Sequence, residues 1–248
     1  MDVDIYTICW NEMSIAPFVV DYWKRVARHV YVFDNGSNDG TVEFLNQFDW
    51  ITIKHFDSEG FNDGIHAYIK NNCWKGSDAD WVWVSDFDEC PYSEDFKEDA
   101  KWLDDNGYSI VFPQWVEVIS TTNVPEYQAG KMLHELVDGA IATKGDINNP
   151  TKVLFFKPSK IDEINYSVGS HYCNSIGDIK MCQKLNTIHF KNLGINYLLN
   201  RYGKYRERLS EWNKRNNCGY HYLFDDDKQI KRFEENLKNI KPIKDLLI

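Results

Sequence analysis

The segment Asp86-Phe87-Asp88-Glu89 sets three carboxylates directly after Trp81-Val82-Trp83-Val84-Ser85, a run with the composition of a strand covered on both faces. Hard divalent cations take carboxylate oxygens and keep open positions for phosphate oxygens and water. In an extended chain, residues i and i+2 point the same way, so Asp86 and Asp88 are expected to address one ion together. A cation held there would bridge a nucleotide diphosphate and stabilise it as a leaving group. Taken alone, Asp-x-Asp also describes an acidic turn facing solvent. Its position decides between the two, because open α/β sheets bind ligands at the carboxyl ends of their strands.

The elements that must carry these acids alternate through the first half. Val3 to Cys9, His29 to Phe33, Trp50 to His55 and Trp81 to Ser85 read as strands. Ile15 to Val26, Thr41 to Phe48 and Gly64 to Trp74 read as helices, the first with Ile15, Phe18, Val19, Tyr22, Trp23 and Val26 on one face. This order predicts an α/β fold with a mostly parallel, Rossmann-type sheet flanked by helices. The second half is less regular. Tyr108 to Phe112, Lys152 to Lys157 and Leu185 to Phe190 are expected strands, and Val116 to Pro150 reads as a long loop or insertion. Leu193 to Trp212 and Lys228 to Ile240 give a helical C-terminal part. The 248 residues show no convincing linker, so one domain is expected, with residues 1–112 binding the nucleotide and 113–248 binding the acceptor.

Composition narrows the classes. The net charge is −10 and the N-terminal half has no basic stripe, which argues against a nucleic-acid partner. The basic stretch from Arg201 to Arg215 reads as a solvated helix face, with an anionic acceptor or membrane surface as the alternative. Aromatics make up 15% of the chain; they can stack on sugar rings or simply fill a core. None of the six cysteines is in a CxxC pair, so a zinc knuckle or redox motif has no support. The start MDVDIYTICW lacks signal-peptide order and no run of about 18 apolar residues occurs. A cytoplasmic protein with reduced thiols is the expectation.

The motifs resemble a family. Cys9-Trp10-Asn11-Glu12 after the first strand, Asp34-Asn35-Gly36-Ser37-Asn38-Asp39-Gly40-Thr41 after the second, Asp86-Phe87-Asp88-Glu89 after the fourth and Gly169-Ser170-His171 later are similar to GT-A-type glycosyltransferases of the family-2-like group, notably small bacterial or viral enzymes of polysaccharide synthesis. The likeness covers residues 3 to 90 well and 150 to 210 loosely.

That resemblance implies a GT-A fold and a nucleotide-sugar donor held with Mn²⁺ or Mg²⁺. It places Asn11, Glu12, Asp34, Asp63 and Asp86 on the nucleotide sugar, with Asp34 at the base or ribose. A carboxylate there can accept the imide N–H of uracil, which favours a UDP-sugar. Asp39 is expected to cap the helix beginning near Gly40. Asp86 and Asp88 become metal residues, joined by a late histidine, His171 ahead of His189; the other reading of His189 is a satisfied core or supporting histidine. The acceptor would be a glycan or a lipid-linked hydroxyl. An inverting transfer needs a base, for which Glu117 is preferred over Glu126, Glu135 and Asp138. Trp115 and Tyr127 are candidate acceptor platforms, whereas Trp81 and Trp83 read as core. A nucleotidyltransferase would share the sheet but needs a Gly-rich loop after the first strand, where this chain has Cys9-Trp10-Asn11-Glu12-Met13. A binding module without turnover is the remaining alternative. A hydrolase is disfavoured because Asp86 and Asp88 are too close in sequence to flank a sugar.

Overall fold

The computed structural model describes residues 1–143 and 152–248. Along them run β1 (Val3–Cys9), α1 (Ala16–Trp23), β2 (His29–Asp34), α2 (Thr41–Leu45), β3 (Ile51–His55), α3 (Asp63–Asn72), β4 (Trp81–Asp86), β5 (Glu89–Tyr92), α4 (Phe96–Asp105), β6 (Ile110–Ser120), β7 (Gly139–Thr143), β8 (Phe155–Phe156), β9 (Ile161–Glu163), β10 (Ile176–Gly177), β11 (Met181–Leu193), α5 (Ile195–Arg208), α6 (Glu211–Arg215) and α7 (Asp226–Leu237).

Among the described residues, one nine-stranded sheet carries the fold in the order β3-β2-β1-β4-β8-β6-β11-β5, with β7 paired to β6. β1 is parallel to β2 and β4, β2 to β3, and β6 to β11. β8 opposes β4 and β6, β7 opposes β6, and β5 opposes β11. The sheet is therefore mixed but mostly parallel, as its apolar N-terminal strands predict. The chain steps outward from β1 to β2 and β3, then returns to place β4 on the other side of β1. A crevice opens at such a reversal, outside the carboxyl ends of the strands. Trp10 follows β1 at that end, and Asp86 closes β4 there.

The strands hold because their side chains leave water. Every residue of β1 is buried, and β4 is buried from Trp81 to Ser85. Trp81 stacks on Phe155 with ring centroids 4.5 Å apart, which confirms Trp81 and Trp83 as core. Helix α1 buries Phe18, Val19, Tyr22 and Trp23 against the sheet, and Trp23 meets Phe87 edge-on at 5.1 Å. Each large apolar side chain fully buried this way contributes about 1.5–3 kcal/mol. Trp23 thus fixes the back of the turn that bears the acids.

Several expectations are corrected. The region from Val116 is not one long loop: β6 continues to Ser120 and β7 follows at Gly139. The part of that expected loop from 144 to 150 lies outside the described residues. Pro113 does not end the strand. The register of β6 on β11 shifts between Gln183 and Asn186, opposite Phe112 and Gln114, and a proline is tolerated where a ladder is already interrupted. The strand expected from Lys152 to Lys157 shrinks to β8, and β9 pairs with β10 in a separate small sheet. The expected helix from Leu193 to Trp212 is two helices, broken before Ser210, whose side chain caps α6. Among the described residues no helix is long and apolar enough to cross a membrane.

Candidate active site

The acid motif sits in a tight turn, not in an extended strand. Phe87 N–H donates to the Ile8 carbonyl at 3.1 Å, and the Asp88 carbonyl accepts from Phe190 N–H at 2.9 Å. The turn is thereby sewn to β1 on one side and β11 on the other. Because the chain turns at Phe87 and Asp88, the two aspartates part company. Asp86 faces Lys70 at 2.7 Å and Lys152 at 3.4 Å. Asp88 faces Arg201 at 2.9 Å and His189 at 3.5 Å.

Strand register builds the rest. His189 on β11 stands opposite Glu89 on β5 and opposite Glu117 on β6. Directly opposed residues on neighbouring strands share a face at close range. Glu89, His189 and Glu117 therefore form one row across three strands, with Asp88 beside its middle. His189 Nδ1 lies 3.4 Å from Glu117 Oε2, and Glu117 also accepts from the Asn192 side-chain amide. Among the described residues, Asp88, Glu89 and His189 can each turn one ligand atom to a common point, those atoms lying within 4.8 Å of one another. Two oxygens and an imidazole nitrogen are a donor set that suits Mn²⁺ or Mg²⁺.

Charge balance in this group is tight. Burial works to raise the Asp88 carboxyl, but Arg201 and His189 hold it below the ordinary carboxylate range. Burial likewise opposes ionisation of Asp86, and Lys70 and Lys152 hold it well below. Burial would lower His189, yet the carboxylates of Asp88 and Glu117 hold it up at about 9. Lys152 Nζ reaches Glu89 Oε1 at 2.5 Å, so each acid of the motif already has a cationic partner.

These residues line a cavity of about 560 Å³ at the carboxyl ends of β1 and β4. Its walls include Trp10, Asn35, His66, Trp115, Arg201 and Arg208. Glu12, Asp63, Asp86, Asp88 and His171 also line it. His171 is exposed, on a loop where Gly169 and Ser170 both have positive φ, and it stands outside the Asp88–Glu89–His189 group. Its ring nonetheless faces the cavity wall, where partial loss of water and then the Lys152 cation lower it to about 4. Asp63 donates its backbone N–H to Asn213 and accepts from the Asn213 amide, and burial beside Asp86 raises it to about 6.

Other predicted residues are placed elsewhere. Asn11 takes φ 54° and bonds Ser37 and Asn38, stapling the β1 end to the β2 loop. The Asp34 carboxylate accepts from Gly36 and Ser37 N–H and meets His55 Nδ1 at 3.2 Å, with 2% of its side chain exposed. Asp39 accepts from Thr41 N–H at 3.1 Å, at the first turn of α2. Glu117 is behind His189 and is not among the cavity's lining residues. Trp115 lines the cavity and packs on His189 at 4.8 Å, whereas Tyr127 bonds Asp21 and packs on Phe18, away from the cavity.

The solvated basic face is also corrected. Arg201 is drawn inward, with Nη1 at 2.7 Å from Glu12 Oε2 and its guanidinium between the Tyr197 and Tyr205 rings. The signal was Tyr197-x3-Arg201-x3-Tyr205, an i, i+4, i+8 stripe on one helix face. Lys70 and Lys152 gave no comparable signal, since their meeting at Asp86 depends on tertiary packing.

The sequence profile described as Glycosyl transferase family 2 matches residues 4–163, more than half of the chain and all of the acid motif. The chain belongs to that family. As a glycosyltransferase, it is neither the nucleotidyltransferase nor the bare binding module weighed above. Three solved structures of S. aureus TarS are similar to the transferase. Its residues 1–349 are 12% identical over 90% of this chain and 71% of that one, with a TM-score of 0.43. The same fragment in complex with UDP-GlcNAc gives 12%, 90%, 72% and 0.43, and in complex with UDP 11%, 90%, 71% and 0.44. Likeness at that level fixes no residue correspondence. No curated protein matches the chain.

Proposed function

We propose that the enzyme transfers a sugar from a nucleoside-diphosphate sugar, UDP-linked, to a hydroxyl of a glycan or lipid-linked acceptor, with Mn²⁺ or Mg²⁺ as cofactor. One observation carries the reading: Asp88, Glu89 and His189, all buried, converge in the wall of a cavity set on the β1/β4 crevice. Asp88, Glu89 and His189 would hold the metal, which when bound would neutralise charge on the departing diphosphate. Asp88 was expected in that role; Glu89 and His189 join it in place of Asp86 and His171, because the turn at Phe87 aims Asp86 at two lysines instead.

The protein's own groups do the rest. Lys70 and Lys152 fix Asp86 on the nucleotide side. Trp115 and Lys191 form the wall toward β6 and β11, where an acceptor would enter. An acceptor hydroxyl attacks the anomeric carbon as the bond to the diphosphate oxygen breaks, and the hydroxyl proton passes to the departing nucleoside diphosphate or to water. Glu117, set behind His189, suits a positioning role better than that of the base. The functional division near residue 112 is kept within one domain, since β6 spans it. Six unpaired cysteines support a reducing, cytoplasmic setting.

The test is calorimetric titration with UDP, with and without Mn²⁺, alongside GDP. UDP binding that requires Mn²⁺ and weakens about 100-fold or more in Asp88→Asn is the expected result. Asparagine keeps the shape of the buried side chain and an acceptor for Arg201. GDP bound in preference to UDP would overturn the donor, and equal UDP binding without metal would overturn the cofactor.

A further inference from the structure

Glu89 has no idle oxygen. Its Oε2 accepts from Asp86 N–H at 3.2 Å, and its Oε1 meets Lys152 Nζ at 2.5 Å. The lysine side chain is 7% exposed, so its ammonium has left water for carboxylates. A buried ion of this kind is held by its partner's charge and is released only to another partner. A second one is at hand. Asp86 Oδ2 lies 3.4 Å from the same Nζ, while Asp86 Oδ1 is held by Lys70 at 2.7 Å. The Lys152 charge acts on Glu89, Asp86 and Asp88 alike.

Asp88 is not closed in this way. Arg201 and His189 both address its Oδ2, and Oδ1 takes part in neither pair. Arg201 is also anchored away from the motif, with Nη1 at 2.7 Å from Glu12 Oε2 and 2.8 Å from the Tyr197 hydroxyl. It can therefore stay while Asp88 turns Oδ1 to an ion. Glu89 is different. A divalent ion bonds a carboxylate oxygen at about 2.0–2.6 Å, so on Glu89 Oε1 it would stand within about 5 Å of the Lys152 ammonium. A double and a single positive charge that close repel strongly in a buried site.

We infer that Lys152 is the free enzyme's own cation at this site, a built-in competitor that holds Glu89 until a divalent ion displaces it onto Asp86. Asp86 is then the lysine's second seat rather than a metal residue, which accounts for the turn at Phe87 aiming it at two lysines. The side chain can make the move: Lys152 precedes β8 in neither helix nor strand, and its flexible four-carbon stem carries Nζ between two acids already beside it. A metal that must evict a lysine binds the free enzyme weakly. Lys152 also lines the cavity, so an anionic nucleotide there gives the displaced ammonium a further partner. Nucleotide and metal thereby strengthen each other's binding.

This inference rests on the metal-dependent reading, and its test separates the two. Mn²⁺ binding to the full chain is measured from the loss of the free-ion paramagnetic resonance signal, first without nucleotide and then with saturating UDP. Without nucleotide, Lys152→Met should bind Mn²⁺ about tenfold more tightly than the wild type, and UDP should add less to it than to the wild type. Lys152→Gln, whose amide can still donate to Glu89, should shift in the same direction and serves if the Met variant does not fold. Lys152→Arg keeps the charge and should stay within about threefold of the wild type. An affinity unchanged or lowered in the Met and Gln variants would mean that Lys152 only supports the acid turn, and the inference falls. Equal tightening in Lys152→Arg would show that space rather than charge limits the ion, and it falls as well. If neither the wild type nor the variants take up Mn²⁺ even with UDP, the metal-dependent reading falls and the inference with it.

Discussion

Arg201 joins two buried carboxylates, with Nη2 at 2.9 Å from Asp88 Oδ2 and Nη1 at 2.7 Å from Glu12 Oε2. It thereby ties α5 to the end of β1 and to the acid turn, elements separated by more than 100 residues of chain. Breaking a buried pair from one side strands the other charge and costs about 3–5 kcal/mol. Arg201→Met should lower stability by that amount in urea denaturation. Burial raises the Glu12 carboxyl to about 8, so the charge left stranded is that of Asp88, and adding Asp88→Asn should regain at least about 1 kcal/mol over Arg201→Met. Strictly additive losses would show that Asp88 does not depend on Arg201.

Acid should destabilise the protein through His134. Its Nδ1 accepts from Tyr22 O–H at 2.5 Å, its ring packs on Tyr92 at 4.5 Å, and Glu135 and Arg25 are the charged groups that act on it. Burial lowers it to about 4 from 6.5. The folded pKa is the lower one, so the unfolded chain takes up a proton first as pH falls. Stability from the neutral ring is complete above pH 6.5 and is lost between about 6.5 and 4, on the order of 3 kcal/mol in all. Urea midpoints measured from pH 7.5 to 4 should fall through that window. His134→Gln, which cannot titrate, should show a flatter profile, and an unchanged slope would move the effect to another group.

The strands that carry the site were legible because their physics is local. Val3 to Cys9, His29 to Asp34 and Trp81 to Asp86 are apolar runs closed by turn residues, and each appears within about a residue of expectation. What failed depended on distant partners. β5 contains Glu89 and Pro91 and exists because β11, nearly 100 residues later, pairs with it. Without that pairing nothing in the sequence aligns His189 with Glu89, so His171, marked by its Gly-Ser turn, was the more visible histidine. Helix α4 was legible in principle: Asp95 caps it, and Phe96, Ala100 and Leu103 form a buried i, i+4, i+7 stripe among charged residues.

Gly60 should tolerate no side chain. Its φ is +99°, and an added Cβ would come 2.3 Å from the Arg208 carbonyl oxygen, which already accepts from Phe61 N–H. Gly60→Ala must therefore push Arg208 away or twist the chain, and a loss of about 2 kcal/mol or more is expected. Gly36 has φ +75° with nothing within 4 Å, so Gly36→Ala should cost only about 1–2 kcal/mol. Thermal midpoints should separate the two by several degrees, at about 2–4 °C per kcal/mol for a chain of this size. Equal shifts would mean that the 60–62 and 208–210 segments are not held together.

Glu117 offers a clean division between orienting a ligand and moving a proton. Its Oε2 stands 3.4 Å from His189 Nδ1, its other oxygen accepts from Asn192, and His189 holds its carboxyl below the ordinary range against the effect of burial. A carboxylate behind a metal-binding imidazole sets the ring's direction and basicity, and its loss costs about 10–100-fold in metal affinity or activity. Glu117→Gln should therefore raise the Mn²⁺ concentration needed for half-maximal transfer by that factor, and most of kcat should return at saturating Mn²⁺. A general base behaves otherwise, since kcat would stay down about 100-fold or more however much metal is supplied. Measuring transfer against Mn²⁺ concentration for the two proteins decides the role, and a loss that metal does not rescue would restore Glu117 as the base.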